Sequence, residues 1–488
     1  KPCQDVITRG QGDRMRRIIS ISPILQACLV NYSFIAPTIT TNTTWTTANT
    51  PNNGNINITG DLTIESGATL NIKNGVIVHF GVNSRIIVKP GARLNLSGTL
   101  TGLGCDGLTW KGMEIWGVNA SSTTRPGIFT STEGALIERA ETAAKCYGPD
   151  YSMAGGRIVC GGTTFKNNIR GVDIAPFENK NGIQTFGYVG SFSGCHFLTD
   201  KDYPHKMPFE YFVQMEGVRG IRLSGCKMEN TRPVKTEKIT DFGYGIKAFD
   251  ANFTVTSGSD NPVFEGLAYG IHAQGITTRD PFSVTNATFN KCFTGIRAVG
   301  INNAEIIFNT FQLGNLPENV PAEEQFGVSF ETDISGFEFQ ENTFWGEAGN
   351  VTTTFGSACQ NLGSFNNVVR RNYYSSLTYA NLANGSNAGA IAGLPRGLTY
   401  ECNINSDIQE FDIAAVGSIR SKQGLEALAP DPSLPPSYSA AGNYFSYGDG
   451  VDVQSSGPIE YFYNPDNFGE EPLTLQGPVN KLEAPGND

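Results

Sequence analysis

Four stretches decide the fold: VRGIRL (218–223), GYGIKA (243–248), AYGIHA (268–273) and FTGIRA (293–298). Their glycine–isoleucine steps, Gly220-Ile221, Gly245-Ile246, Gly270-Ile271 and Gly295-Ile296, follow one another at 25 residues. A period between 20 and 50 residues marks a repeat architecture in which each unit buries its apolar face against its neighbours. The unit here is short, rich in β-branched residues and punctuated by glycine, with no helical spacing inside it. It predicts an all-β chain: a single-stranded right-handed parallel β-helix, a solenoid closed by N- and C-terminal caps. The glycines are expected at turns, where a positive φ is easily met. Ile221, Ile246, Ile271 and Ile296 are expected one above another inside the coil.

Upstream, residues 55 to 103 alternate apolar and polar side chains, which turns one strand face inward and the other to water. SGATLNI from Ser66 and PGARLNL from Pro90 are near copies 24 residues apart, and EGALIER from Glu133 echoes them. Downstream, Asn309, Asn342 and Asn372 recur after short apolar runs, with Asn167, Asn168 and Asn230 as earlier counterparts. Asparagines at one turn of successive coils can hydrogen-bond to the copies above and below. Phe165, Phe197, Phe264, Phe289, Phe311 and Phe344 read as internal stacks. The expected organisation is a lead-in or cap over 1–54, the β-helix over 55–415, and a proline-rich excursion with a C-terminal cap over 416–488.

Charged residues are 17% of the 488, below the roughly 25% of ordinary soluble domains. The formal net charge of −11 argues against nucleic acid, whose phosphates need clustered Lys and Arg. Ten cysteines are present with no CxxC pair, so no zinc site is read. Cys195, Cys226 and Cys292 read as small core residues, and at least one disulfide is expected among Cys3, Cys28, Cys359 and Cys402. No run approaches 18 apolar residues, so no membrane span is read. The segment after Met15 has the flavour of a signal peptide but contains Pro23, and reads as a first strand or cap.

GLGCDGLTWKGMEIWG (102–117), GALIERAETA, GGRIVCGGTTFKNNIRGVDIAPF, SFSGCHF and VQMEGVRGIRLSGCKMEN, in that order, resemble secreted right-handed parallel β-helix repeat proteins of the Bacteroidota. The resemblance spans roughly residues 40 to 375. It implies an extracellular or cell-surface protein, cargo of type IX secretion, with adhesive or structural roles and further modules of a longer chain. No sorting domain is read before Asp488, so an export signal is expected beyond it.

Two function classes follow. The first is a non-catalytic extracellular module, an adhesin or stalk, with polysaccharide or other surface proteins as partners. Trp110 and Trp116 lie six residues apart, an even spacing that puts both on one strand face: exposed they would stack on sugar rings, buried they are core. The second is a carbohydrate-active enzyme, a polysaccharide lyase or glycoside hydrolase, on the loops 200–210 and 232–241. Those loops carry Asp200, Asp202, His205, Lys206 and Glu210, with Lys235, Lys238 and Asp241. A histidine among carboxylates suits a general base, and paired carboxylates about 5 to 9 Å apart suit glycoside hydrolysis; the competing reading is a solvated, salt-bridged loop pair. Asp449 and Asp452 are too few for calcium. No cofactor or metal is expected.

Overall fold

Alternation becomes burial in the strands: in Thr69–Ile72, Ile77–Phe80 and Arg85–Val88 every second residue is buried and its neighbours half-exposed. The computed structural model describes residues 10–12, 14, 15, 18, 38–102, 109–118, 125–181, 184–205, 207–233, 238–317, 324–391, 394–427, 437–448 and 450–486. The chain divides into two compact units, Lys1–Gln214 and Met215–Asp488.

In the first unit three strands are laid down per coil, always in the same rotation. Sheet I collects Thr38–Ile39, Leu62–Ile64, Arg85–Val88, Trp110–Ile115, Ala140–Lys145 and Arg170–Ile174. Sheet II collects Thr43–Trp45, Thr69–Ile72, Arg93–Leu96, Ile128–Ser131, Arg157–Gly161 and Gly190–Ser193. Sheet III collects Asn55–Ile58, Ile77–Phe80, Thr99–Gly102, Leu136–Glu138, Thr164–Lys166 and His196–Thr199. The second unit repeats the rotation, its sheet I running from Tyr244–Phe249 through Tyr269–Gln274, Thr294–Val299, Glu324–Glu331, Thr353–Gln360, Tyr379–Asn384, Phe411–Ala415 and Val451–Ser455 to Leu475–Gln476. Neighbours pair in parallel, and parallel crossovers are right-handed in about 98% of cases. The fold is a right-handed parallel β-helix, and strands join its sheets both before residue 55 and after residue 415.

The 25-residue ladder is real for three of its four steps. Ile246 pairs with Ile271 and Ile271 with Ile296, and Val328 follows. Ile221 is buried too, but it belongs to sheet II, where it pairs with Phe253. The same slip affects EGALIER. Leu70 pairs with Leu94 and Leu94 with Phe129 in sheet II, whereas Leu136 and Ile137 sit in sheet III against Thr99 and Leu100. A strand–turn–strand motif reads alike on any side of a coil, so sequence spacing alone does not say which side it occupies.

The ladder glycines are not turn residues. Gly245, Gly270 and Gly295 lie within strands, and a Cβ on each would come 2.4–2.6 Å from the next coil's carbonyl oxygen and 2.7–2.8 Å from a phenylalanine ring carbon. Those rings, Phe264, Phe289, Phe311, Phe344 and Tyr374, form one interior stack with centroids 4.5–4.9 Å apart. Gly327 and Gly356 obey the same rule against Phe344 and Tyr374. Where the stack ends and Asn405 takes the ring position beside Tyr374, the glycine column changes to Ala380. The first unit holds its own pair, Phe165 on Phe197 at 4.7 Å.

In many coils the bend from sheet II to sheet III turns on one left-handed residue. Early bends use Gly162, Gly194 and Gly225; later ones use Phe308, Glu341, Arg371 and Cys402, with φ between 52° and 59°. A non-glycine residue there costs about 1–2 kcal/mol. Each costly residue is followed by an asparagine, and each of those glycines by Thr163, Cys195 or Cys226. The backbone N–H of Asn309 donates to Oδ1 of Asn342, Asn342 likewise to Asn372, Asn372 to Asn403 and Asn403 to Asn443, at 2.9–3.0 Å. Their side-chain amides also satisfy buried carbonyls such as those of Ile306 and Val369. Asparagine hydrogen bonding therefore offsets the strain that glycine avoids. Asn168 and Asn230 serve other bends, donating to the carbonyls of Ile137 and Phe242.

Cys195, Cys226 and Cys292 are buried as expected. Among the described residues Cys359 and Cys402 form no disulfide, against the expectation; Cys359 is sealed in the core and its thiol is pushed up by burial. Cys3 and Cys28 lie outside the described residues, as does most of the segment after Met15. Among the described residues no helix is long and apolar enough to cross a membrane.

Candidate functional site

Loops 200–210 and 232–241 follow sheet III strands in different units. In the first, Asp200 and Asn167 exchange hydrogen bonds, Asn167 Nδ2 to Asp200 Oδ1 at 2.8 Å and Asp200 N to Asn167 Oδ1 at 2.9 Å. Lys166 pairs with Asp200 at 2.9 Å, and Asp202 donates its N–H to the same carboxylate. His205 Nε2 lies 2.8 Å from the Asn167 carbonyl. That carbonyl can only accept, so Nε2 carries the proton and Nδ1 the lone pair. Nδ1 is buried with no partner among the described residues, and burial, with Arg139 nearby, lowers the ring to about 4. His205 is a neutral pin for the bend at Asn167, not a base facing solvent. Glu210 is held by Arg170 through two bonds of 2.8 and 2.9 Å. In the second unit Lys238 is exposed and precedes the single helical turn Ile239–Phe242; its carbonyl accepts the Asp241 N–H at 3.0 Å, while the Asp241 carbonyl accepts from Arg232. Lys206 and Lys235 lie outside the described residues, as does Asp449; Asp452 accepts the N–H groups of Leu473 and Thr474. The described residues hold no group of three or more metal-ligating side chains.

The expected tryptophan pair also separates. Trp110 is fully buried, stacks on Phe80 at 4.5 Å and donates Nε1–H to the Glu138 carbonyl at 2.9 Å. The even spacing fails because Gly112 takes φ +92° and the pairing register shifts between Gly112 and Met113. Trp116 remains half-buried at the end of that strand, its Nε1–H given to Glu114 at 3.1 Å.

Around Trp116 the first unit assembles a polar constellation on the outer face of sheet I. Glu114 pairs laterally with Lys145, and Lys145 with Asp173, one ionisable group per coil. Arg85 holds Glu114 at 2.9 Å. Asp173, only 8% exposed, accepts from the Tyr147 hydroxyl at 2.7 Å and is also bonded by Tyr211. Burial raises the Asp173 carboxyl above its usual range, opposed by Tyr147, Lys145, Tyr211 and Arg170. A second lane carries Lys111, Glu141, Arg170 and Glu210, joined by ion pairs.

Lys145 differs from these cations. It forms no ion pair among the described residues and lies 6.0 Å from the Tyr147 ring. Beside it the loop after Lys145 folds back: the Gly117 N–H donates to the Met153 carbonyl at 2.8 Å, and a Cβ on Gly148 would lie 3.3 Å from the Trp116 ring. Tyr147 and Tyr151 meet edge to face at 5.1 Å, with Tyr151 51% exposed. The result is a lane of donors and acceptors edged by Trp116, Tyr147 and Tyr151. Sequence reading reached Trp116 only; nothing in the spacing of Lys145, Tyr147 and Asp173 announces that they meet across coils.

No family model and no curated protein matches this sequence. Among solved structures the chain is similar to a double mutant of a periplasmic alginate epimerase, at 9% identity over 92% of this chain and 85% of that chain, TM-score 0.26. It is also similar to a family 28 exopolygalacturonase of Yersinia enterocolitica, at 10% identity over 86% of this chain and 73% of that one, TM-score 0.28.

Proposed function

We propose that the chain is a non-catalytic extracellular β-helix module, an adhesin or stalk of the kind secreted by Bacteroidota, that holds polysaccharide on the outer face of sheet I in its first unit. The observation that carries the reading is Lys145, a cation with no ion pair among the described residues, set between Glu114 and Asp173 and beside aromatic residues. Sugars need this mixture: hydroxyls take hydrogen bonds from an ammonium and give them to carboxylates, and apolar ring faces pack on aromatic side chains. Asp173 is already held by two phenols, which suits a fixed acceptor better than a group that must exchange protons with a substrate.

The enzyme alternative on loops 200–210 and 232–241 loses support from His205: its lone-pair nitrogen Nδ1, the atom a general base would use, is buried, while Nε2–H pins the Asn167 carbonyl. Affinity electrophoresis of the full chain against a polysaccharide panel, with product release monitored in parallel, separates the two. Retention without turnover, weakened several-fold by Tyr151→Ala and by Lys145→Ala, is the expected outcome. Product release abolished by His205→Ala or Lys238→Ala reverses the reading.

A further inference from the structure

The column of small residues that admits the ring stack ends in two acids. Beyond Gly327 and Gly356 the position passes to Ala380, and on the next two coils to Asp412 and Asp452, fixed by the flanking pairs Phe411 with Val451 and Ile413 with Val453. The two acids are only 1% and 4% exposed and lie one strand spacing apart, about 4.8 Å. No ion pair reaches either one among the described residues. Two buried carboxylates this close repel each other strongly when both are charged, which favours a proton on one of them.

Each carboxylate also fastens the coil that follows it. Asp412 Oδ2 accepts the Ser446 N–H at 2.8 Å, and Oδ1 accepts the Ser446 hydroxyl at 2.9 Å. Asp452 Oδ2 accepts the N–H groups of Leu473 and Thr474 at 2.6 and 2.9 Å. The difference between these partners places the proton. N–H groups only donate, so the Asp452 oxygen they reach must stay an acceptor, whereas the Ser446 hydroxyl can turn and accept from a protonated Asp412. Burial raises the Asp412 carboxyl to about 7, opposed by the two Ser446 bonds and assisted by Asp452. Of the other ionisable neighbours, Glu410 is exposed and bonded to Tyr379. Tyr447 lies near Asp452 and Glu471, and Glu471 is neutralised by Lys481 at 2.5 Å. Asp449 lies outside the described residues.

We infer that Asp412 and Asp452 form a proton-operated latch on the coils that follow them. With one proton between the two acids, each holds its next coil. As pH rises and the proton leaves Asp412, two buried negative charges oppose each other, and the segments at Ser446 and at residues 473–474 loosen. An unfolded aspartate titrates at about 3.9. The stability this group contributes is therefore fully present below that value and is lost as pH rises through about 7, opposite in sign to His205 and His272. Opening uncovers the edge of Phe411–Ala415, whose partner is Val451–Ser455, and a bare strand edge is a template for pairing with another chain. The latch is independent of the polysaccharide reading, since the two share no residue.

Hydrogen exchange of the full chain, read by mass spectrometry as protection factors corrected for the intrinsic pH dependence of exchange, tests the latch. Peptides covering residues 445–455 and 473–476 should lose protection about fiftyfold between pH 5 and pH 7, the change expected for one proton with these two midpoints. Peptides over Tyr244–Phe249 should show no such loss. Asp412→Asn keeps both Ser446 bonds through its amide and should stay protected at both pH values. Asp452→Asn removes the opposing charge and should shrink the loss several-fold; it decides the matter if Asp412→Asn does not fold. Flat protection of 445–455 in the parent, an undiminished loss in either variant, or an equal loss over Tyr244–Phe249 overturns the latch.

Discussion

Gly295→Ala is the sharpest test of the packing that the glycine–isoleucine repeat encodes. The added Cβ would sit 2.6 Å from the Gly327 carbonyl oxygen and 2.7 and 2.8 Å from two Phe311 ring carbons. Overpacking of this kind costs about 1–3 kcal/mol. The loss of backbone freedom in the unfolded chain returns about 0.4–1 kcal/mol, leaving a net destabilisation of about 1–2 kcal/mol. Phe311→Leu removes a ring stacked at 4.7 Å on Phe289 and 4.5 Å on Phe344, and should itself cost about 2 kcal/mol. Because the leucine withdraws the ring from residue 295, the double variant should be about 1 kcal/mol more stable than the sum of the singles predicts; the clash with Gly327 remains, so relief is partial. Urea unfolding followed by circular dichroism measures all three, with Ala380→Gly as comparison at a coil where Asn405 replaces the ring. A stabilised Gly295→Ala, or effects additive within about 0.5 kcal/mol, would refute the claim that these glycines make room for the ring stack.

Two further outcomes follow from the bends and the histidines. Asn342→Ala leaves the Asn309 N–H and the Ile306 carbonyl without their side-chain partners, so it should cost about 3 kcal/mol, and less in a Glu341→Gly background, where the left-handed residue is no longer strained; an equal cost in both backgrounds would break the link between strain and ladder. His205 and His272 are both lowered to about 4 against about 6.5 when unfolded, so the unfolded chain binds protons first and stability falls as pH drops from 6.5 towards 4, by up to about 3 kcal/mol per histidine. Proton NMR titration of the ring signals checks this, and a midpoint near 6.5 for either histidine would contradict its burial.

Much of the fold was legible because its interior is repetitive. Alternation gave the strands, the Ile246–Ile271–Ile296 column gave the stacking, and Asn309, Asn342 and Asn372 marked true rungs of a ladder that continues through Asn403 and Asn443. Phase was harder. Gly220-Ile221 and EGALIER imitate the repeat from another side of the coil, because turn chemistry is common to all three corners and insertions of variable length reset the count. The candidate site was legible least. Trp110 stood open between sugar platform and core, and burial makes it core; Gly112 broke the alternation that would have kept it beside Trp116. His205 looked like a base because sequence shows neighbours in the chain and not the carbonyl across the bend. Lys145, Asp173 and Tyr147 carry no motif, since residues about one coil apart become neighbours only once the coil length is known.

In a β-helix every recurrent residue invites a structural explanation, and here most have one: isoleucines and rings fill the interior, glycines admit the rings, and asparagines offset strained bends. Outer-face polar residues can also be structural, as where Asn95 donates to Asn71 at 2.8 Å or Arg170 holds Glu210. Those examples satisfy themselves within the protein. Lys145 does not: it forms no ion pair among the described residues, and it lies on the outer face of sheet I in a lane that continues from coil to coil. A linear polymer with a repeating array of hydroxyls can meet such a lane sugar by coil, which is the ground of the polysaccharide proposal.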